Sequence, residues 1–125
     1  MPESPGLASS ARSTCAELIA DVTAHVLRAL LARPGLSGTY HLAAAGETSW
    51  HEYAQHIVAR ASAAGADLKL APGGVRPVTT DAYPTVARRP ANSRLATHKL
   101  ESSVGLSLPP WQAGVDRALA ELLGH

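Results

Sequence analysis

The sequence predicts a small α/β domain that is rich in helices and contains only a few short strands. Amphipathic runs of helical period make up much of the chain, and several begin at a residue suited to cap a helix. Between them lie short apolar runs of strand length, bounded by proline and glycine. The chain has 125 residues, the size of one domain. A chain of this length buries roughly two thirds of its unfolded surface, so it needs neither a disulfide nor a metal to fold.

The first strong element is a helix predicted from about residue 14 to residue 32. Thr14 and Glu17 have the spacing of a capping box, in which a hydroxyl and a carboxylate satisfy the free N–H groups of the first turn. Pro34 and Gly35 stop the helix. Its apolar stripe, which implies a partner surface, consists of Leu18, Ile19, Val22, Val26, Ala29 and Leu30.

Three further helices are predicted from the same signals. One runs from Trp50 to about residue 64, after a second capping box at Ser49 and Glu52, and Gly65 ends it. A short helix covers about residues 97–103, and a last helix opens at residues 109–111, where proline suits a first turn. The apolar sides of the first and last of these are formed by Tyr53, Ile57, Ala61 and Ala64, and by Val115, Leu119, Leu122 and Leu123.

The predicted strands are short and few. Residues 38–43 form the clearest one, and residues 68–70 and 75–80 are weaker candidates. Pro77 has no backbone N–H to donate, so residues 75–80 could form only an edge strand. Residues 81–92 contain several prolines and are predicted to be a stiff loop, because a residue before proline is pushed towards extended conformations. These strands are too few for a large independent sheet.

Composition excludes several classes of function. Eleven Lys and Arg against ten Asp and Glu give a net charge of +1, which offers no electrostatic case for binding nucleic acid or an anionic membrane. No apolar run approaches the ~20 residues of a membrane span. Cys15 is the only cysteine, so we expect no internal disulfide and a small buried residue in a reducing cytoplasm. Residues 1–12 lack the pattern of a secretory signal and are predicted to be a frayed lead-in.

Motifs for catalysis or metal binding are absent from the sequence. His51 and His56 are five positions apart, which places them about 140° apart around a helix, so they cannot hold one ion together. We expect His51 to lie in a first turn or at a pocket edge and His56 to be solvated. The sequence has no G-x-G-x-x-G fingerprint, no Tyr followed four residues later by Lys, no nucleophile elbow and no P-loop. It therefore predicts no catalytic residue.

The loop at residues 88–95 stands out because it holds three arginines within seven residues. Arginine presents a planar fork that matches phosphate oxygens, so one interpretation is contact with an anion such as a diphosphate. The other is solvated charge, with Asn92 and Ser93 capping the backbone before the short helix. Composition alone favours the second interpretation. Trp50 and Trp111 each lie beside a helix start, where either could stack on a ligand ring or pack in the core.

Several stretches of the sequence form a linked set of motifs. Residues 38–54 read G-T-Y-H-L-A-A-A-G-E-T-S-W-H-E-Y-A, and residues 16–21 read A-E-L-I-A-D. Residues 83–85, Y-P-T, residues 89–95, R-P-A-N-S-R-L, and residues 108–111, L-P-P-W, follow. In order and at similar spacing these resemble the C-terminal part of the dTDP-4-dehydrorhamnose reductases, whose motifs are A-E-L-[LI]-A-D, G-x-Y-H-L…G-x-T-[ST]-W-H, and Y-P-T…R-P-x-N-S-x-L…L-P-x-W.

The resemblance covers about residues 14–123 and implies a function. The family is an extended short-chain dehydrogenase that reduces the 4-keto group of dTDP-6-deoxy-L-lyxo-4-hexulose with NADPH or NADH, giving dTDP-L-rhamnose. Its N-terminal Rossmann domain carries the cofactor fingerprint and the Tyr/Lys pair, and its C-terminal part helps bind the sugar nucleotide. We therefore expect residues 14–125 to be a sugar-nucleotide-binding lobe, and residues 1–13 a disordered or unrelated leader. We expect no cofactor binding by this chain alone.

The resemblance also implies site residues and partners. Trp50, Asn92, Arg89 and Arg94 are expected to bind the dTDP-sugar, and which of the two arginines contacts the diphosphate stays open. Some enzymes of the family pair their subunits through acidic side chains and Mg²⁺, and the positions of Glu17 and Glu121 match glutamates that take part. A Rossmann domain in cis or in trans and a homodimer are thus the implied partners.

Two classes of function stay open. The chain is either the substrate-binding lobe of a reductase, or a non-catalytic fragment or regulatory module that retains the lobe. Residues 6–13 do not match the family's D-Q-x-G-x-P-T stretch, so the resemblance stops where the chain would join the Rossmann domain. This predicts a fragment or a split product.

Overall fold

The computed structural model describes residues 7–8, 16–70, 73–79, 82, 86–87, 90 and 92–124. Within them, helices dominate and the one sheet is small, which confirms the predicted helix-rich α/β class. Besides a 3₁₀ turn at Pro34–Leu36, the elements are β1 Leu7–Ala8, α1 Ala16–Ala32, β2 Thr48–Ser49, α2 Trp50–Ala63, α3 His98–Val104 and α4 Trp111–Leu123.

Helix α1 ends where the sequence predicts and buries part of its predicted stripe. Val22 is buried, and Leu18 and Val26 pack against the core. Ile19 was predicted on the same stripe but is 48% exposed. The predicted cap Thr14 and the cysteine Cys15 lie outside the described residues.

The N-terminus of α2 carries half of the predicted capping box. The Ser49 Oγ accepts a hydrogen bond from the Glu52 backbone N–H at 3.1 Å, with Ser49 in an extended conformation. The Glu52 carboxylate accepts instead from the Thr48 hydroxyl at 3.4 Å. The helix then runs to Ala63, within a residue of the predicted end.

The sheet consists of β1 and β2, which pair antiparallel with Leu7 opposite Ser49 and Ala8 opposite Thr48. Leu7 and Ala8 therefore differ from the frayed lead-in that the sequence predicted for residues 1–12. The strand predicted at residues 38–43 is wrong, as is the one at residues 68–70. The described part of residues 75–80 also has no strand. A strand needs a neighbour for its backbone N–H and C=O groups, and the described residues supply none at these places.

Helices α3 and α4 confirm the last two predicted helices. Gly105 and Gly124 end them in left-handed conformations, and Pro110 is the N-cap of α4. Leu122 departs from the predicted apolar side of α4, because it is 82% exposed.

Two small clusters form the core. The Leu100 cluster consists of Val22, Leu100 and Leu108, and the Trp111 cluster of Ala44, Trp111 and Val115. Leu18 of α1 packs against both, so the two clusters are joined through that helix. Tyr53 and Ile57 of α2 pack on the Trp111 cluster, as their predicted face requires. In the described part of the chain, no helix is long and apolar enough to cross a membrane.

Candidate sugar-nucleotide site

A rigid loop at residues 45–47 connects the core to the start of α2. The Ala45 N–H donates to the Pro109 carbonyl at 2.8 Å, and the Trp111 N–H donates to the Ala45 carbonyl at 3.0 Å. Gly46 has a φ of +92°, and a Cβ at this position would lie 3.3 Å from Trp111 Cδ1. Two backbone hydrogen bonds and a close approach to a buried indole therefore fix the path of the loop.

The indole of Trp111 is itself held on several sides. Its ring is 5.6 Å from the Tyr53 ring and 5.1 Å from the His56 ring, measured between centroids. The residue is only 5% exposed. Trp111 is thus a core residue, and the packing alternative is the correct one for this tryptophan.

Arg94 forms an ion pair with Glu47 of this loop. Its Nη1 lies 2.5 Å from the Glu47 Oε2, and its Nε donates to the Asn92 Oδ1 at 2.9 Å. The same Asn92 oxygen accepts from the Arg94 backbone N–H at 3.1 Å. Asn92 therefore caps the backbone, as the second interpretation of the loop predicts, and also orients the guanidinium, as the first requires.

Trp50 occupies the first turn of α2, three residues after Glu47. It is 43% exposed, and its ring meets the Tyr53 ring edge to face at 6.0 Å. Part of the indole thus faces solvent, where a planar ligand ring could stack on it. The structure therefore joins Asn92 and Arg94 directly and connects them through Glu47 to the turn that carries Trp50. Arg88 and Arg89 lie outside the described residues.

Glu47 is a functional candidate that the sequence did not single out. An isolated glutamate in a loop carries no signal by itself, and its ion pair with Arg94 spans 47 positions of the chain. The only available hint was its place just before Thr48-Ser49-Trp50.

The two histidines of α2 have separate partners. His51 is half-buried, and its Nε2 is 2.9 Å from the Val75 carbonyl oxygen. His56 was predicted to be solvated, which is wrong: its side chain is 22% exposed, and its Nε2 is 2.6 Å from the Asp116 Oδ1. The Arg60 Nε reaches the same oxygen at 3.2 Å. Asp116 therefore ties α2 to α4, a contact that requires the two helices to pack and cannot be read from either alone.

Glu17 and Glu121 lie close together, but an arginine lies between them. The Arg117 Nη2 is 2.7 Å from the Glu17 Oε1 and 3.0 Å from the Glu121 Oε1. The hydrogen bond to Glu17, with the charges of both carboxylates, raises the pKa of Arg117. Within this chain the three side chains form an ion-pair bridge between α1 and α4. The described residues hold no set of three or more His, Cys, Asp or Glu placed to bind a metal. A magnesium contact between subunits, which would need a further carboxylate from elsewhere, stays a prediction.

A cleft of about 480 Å³ lies elsewhere, between the C-terminal halves of α2 and α4. Alanine and leucine side chains form most of its wall, with Arg60 and Asp116 at one side. Trp50, Asn92 and Arg94 do not line this cleft.

Comparison with known proteins agrees with the motifs. The RmlD substrate binding domain matches residues 10–123. The dTDP-4-dehydrorhamnose reductase of Escherichia coli is 50% identical over 111 residues, which cover 89% of this chain and 36% of that protein. The enzyme of the same name from Burkholderia thailandensis is 43% identical over 116 residues, 90% of this chain and 39% of that protein.

A more distant relative has a related name. The probable dTDP-4,6-dihydroxy-2-methyloxan-3-one 4-ketoreductase of Streptomyces antibioticus is 30% identical over 90 residues, 72% of this chain and 28% of that protein. The matched part of this chain thus spans between 28% and 39% of the length of these three curated relatives. The resemblance drawn from the motifs is confirmed over nearly the whole sequence: the chain belongs to the RmlD substrate-binding domain family.

Proposed function

We propose that this chain binds a dTDP-linked 6-deoxyhexose, as the substrate-binding lobe of a dTDP-4-dehydrorhamnose reductase in dTDP-rhamnose biosynthesis. The observation that supports this most is Arg94, which Asn92 and Glu47 hold in one orientation beside the turn that carries Trp50. A guanidinium offers hydrogen-bond donors to a polar ligand, and an exposed indole offers a face to a base or a sugar ring. A nucleotide sugar has polar groups and rings that could contact both.

The nicotinamide cofactor belongs to another domain in this proposal. In the described residues, the one junction from a strand into a helix is that of β2 and α2. There the Ser49 hydroxyl already accepts from the Glu52 N–H, so the helix start is capped by its own side chain and is not a cradle for a pyrophosphate. This helix start therefore does not fit the pyrophosphate of NADPH or NADH. We therefore assign only substrate binding to this chain and place the cofactor on a Rossmann domain, in cis or in trans.

The surface of α1 supports docking to such a domain. Leu27 and Leu31 lie one turn apart and are 58% and 78% exposed, and Ile19 is 48% exposed. Together with the buried side of the helix, they make α1 apolar over more than half of its circumference, which is typical of a helix covered on two sides. A second copy of this chain, giving a homodimer, is the other partner that this face fits. The lone cysteine accords with work in the reducing cytoplasm.

A binding experiment tests the proposal. Calorimetric titration of dTDP into the purified chain is expected to show saturable binding. Arg89→Ala is expected to weaken it by about 1.5–3 kcal/mol, the range for a hydrogen bond to a charged group, or roughly tenfold to a hundredfold. Arg28→Ala, which removes an exposed arginine from α1, is the control and should leave the affinity unchanged.

One result would overturn the proposal, and another would remove Arg89 from it. If the native chain binds no dTDP, the chain is a non-catalytic interaction module, the second class of function left open by the sequence. If it binds dTDP but Arg89→Ala binds equally well, Arg89 is solvated charge.

A further inference from the structure

The charge on Arg94 is compensated within the protein. Its Nη1 is 2.5 Å from a carboxylate oxygen of Glu47, so the pair as a whole is neutral. A diphosphate approaching Arg94 would bring negative charge next to Glu47 and would meet repulsion as well as attraction.

The donors and acceptors around Arg94 suit a hydroxyl group better than a phosphate. Asn92 occupies Nε and Glu47 occupies Nη1, which leaves Nη2 between them as the donor available to a ligand. The side chains of Arg94 and Glu47 are 37% and 62% exposed, so both are within reach of a ligand. A donor thus stands directly beside a carboxylate acceptor. An ionised phosphate oxygen only accepts hydrogen bonds, whereas a hydroxyl both accepts and donates.

We propose that Arg94 and Glu47 together form a subsite for the vicinal hydroxyls of the hexose, and that Arg94 does not bind the diphosphate. This deepens the proposed function and rests on it. The Arg94 Nη2 donates to one hydroxyl oxygen, and the Glu47 carboxylate accepts from the neighbouring hydroxyl. The hexose carries adjacent hydroxyls, whereas thymidine diphosphate has a single free sugar hydroxyl, so the pair matches the hexose and not the nucleotide.

The loop that carries Glu47 makes this subsite preorganised. The hydrogen bonds of Ala45 to residues 109 and 111 and the contact of Gly46 with Trp111 hold the loop on the core. Glu47 in turn fixes one edge of the guanidinium, and Asn92 fixes another. A ligand therefore meets groups that are already oriented, and little entropy is lost in ordering them.

The test compares two ligands, dTDP and dTDP-L-rhamnose, titrated into the full chain at one ionic strength. Glu47→Gln and Arg94→Gln are each expected to lower the affinity for dTDP-L-rhamnose about threefold to tenfold, the loss of one or two hydrogen bonds. Both should leave the affinity for dTDP within about twofold. Asp67→Asn and Arg28→Gln are matched controls at exposed positions, and circular dichroism verifies that every variant is folded.

Each other outcome overturns the inference in a recognisable way. If Arg94 contacts the diphosphate, Arg94→Gln weakens both ligands equally, and Glu47→Gln tightens dTDP because it removes a repelling charge. If the native chain binds both ligands and neither variant changes either affinity, the proposed function stands and this subsite falls. If the native chain binds neither ligand, the proposed function fails and the subsite fails with it.

Discussion

Replacing Gly46 with alanine perturbs the loop at residues 45–47, and the same replacement at Gly65 provides a matched control. Gly46 and Gly65 have nearly the same positive φ, +92° and +85°. A Cβ at Gly65 would have nothing within 4 Å, whereas a Cβ at Gly46 would lie 3.3 Å from Trp111 Cδ1. Gly65→Ala therefore measures the cost of the backbone conformation alone, and Gly46→Ala adds the contact with the indole.

The expected magnitudes follow from these two contributions. An alanine forced to positive φ costs about 1–2 kcal/mol, and the reduced entropy of its unfolded chain returns about 0.4–1 kcal/mol. Gly65→Ala should thus lower the free energy of unfolding by roughly 1 kcal/mol. Trp111 is 5% exposed and is packed against Tyr53, so it has little freedom to move away. Overpacking adds about 1–3 kcal/mol, which gives about 2–4 kcal/mol for Gly46→Ala.

Urea unfolding followed by tryptophan fluorescence measures both variants. With a slope of roughly 1.5 kcal/mol per molar urea, the midpoint of Gly46→Ala should lie at least about 0.7 M below that of Gly65→Ala. Equal midpoints for the two variants would refute the reasoning, because the Trp111 indole would then move aside without lowering the free energy of unfolding. A shifted loop should also move Glu47, so Gly46→Ala is expected to weaken binding of dTDP-L-rhamnose while Gly65→Ala does not.

Three other predictions concern the helices and the cofactor. Asp116→Asn should lower the free energy of unfolding by about 1 kcal/mol, or the melting temperature by about 4 °C, because it weakens the partly exposed contacts that join α2 to α4. The control Asp67→Asn should change the free energy of unfolding by less than about 0.5 kcal/mol. The native chain should self-associate in sedimentation velocity, and Leu27→Glu with Leu31→Glu should return it to a monomer, whereas Ala118→Glu on the exposed side of α4 should not. NADPH should show no binding to the chain alone in fluorescence titration, and turnover without an added Rossmann domain would reveal a catalytic site that the sequence does not show.

The helices could be predicted from the sequence because their signals are local. The Ser49 cap acts on a backbone N–H three residues away, and the proline and glycine signals at the helix ends act within a turn. Amphipathic spacing likewise identified Val22, Ala61 and Val115 as inward-facing, and all three are buried. Such features depend on the sequence within a few residues and not on what the helix packs against.

The side-chain pairs of the site could not be predicted, because each joins elements far apart in the chain. Glu47 meets Arg94 across a loop, and His56 meets Asp116 across a helix pair. Neither pair has a fixed spacing that a sequence pattern could report. The bridge from Arg117 to Glu121 is the exception, since a separation of four on a helix predicts contact. The ion pair of Arg117 with Glu17 joins residues far apart in the sequence, so it could be found only in the folded structure.

The strand predicted at residues 38–43 shows that an apolar pattern can predict burial without predicting the secondary structure. Tyr40 and Leu42 pack on the Leu100 cluster, and Ala43 and Ala44 are buried, so the pattern was right about burial. Burial alone does not make a strand, because a ladder also needs a second backbone at hydrogen-bond distance. In the described residues, such a neighbour appears only at Ala45, which forms an isolated parallel bridge with Pro110. The Thr39 carbonyl accepts instead from the Lys99 side chain at 2.8 Å, so a side chain takes the place of a neighbouring strand at that position.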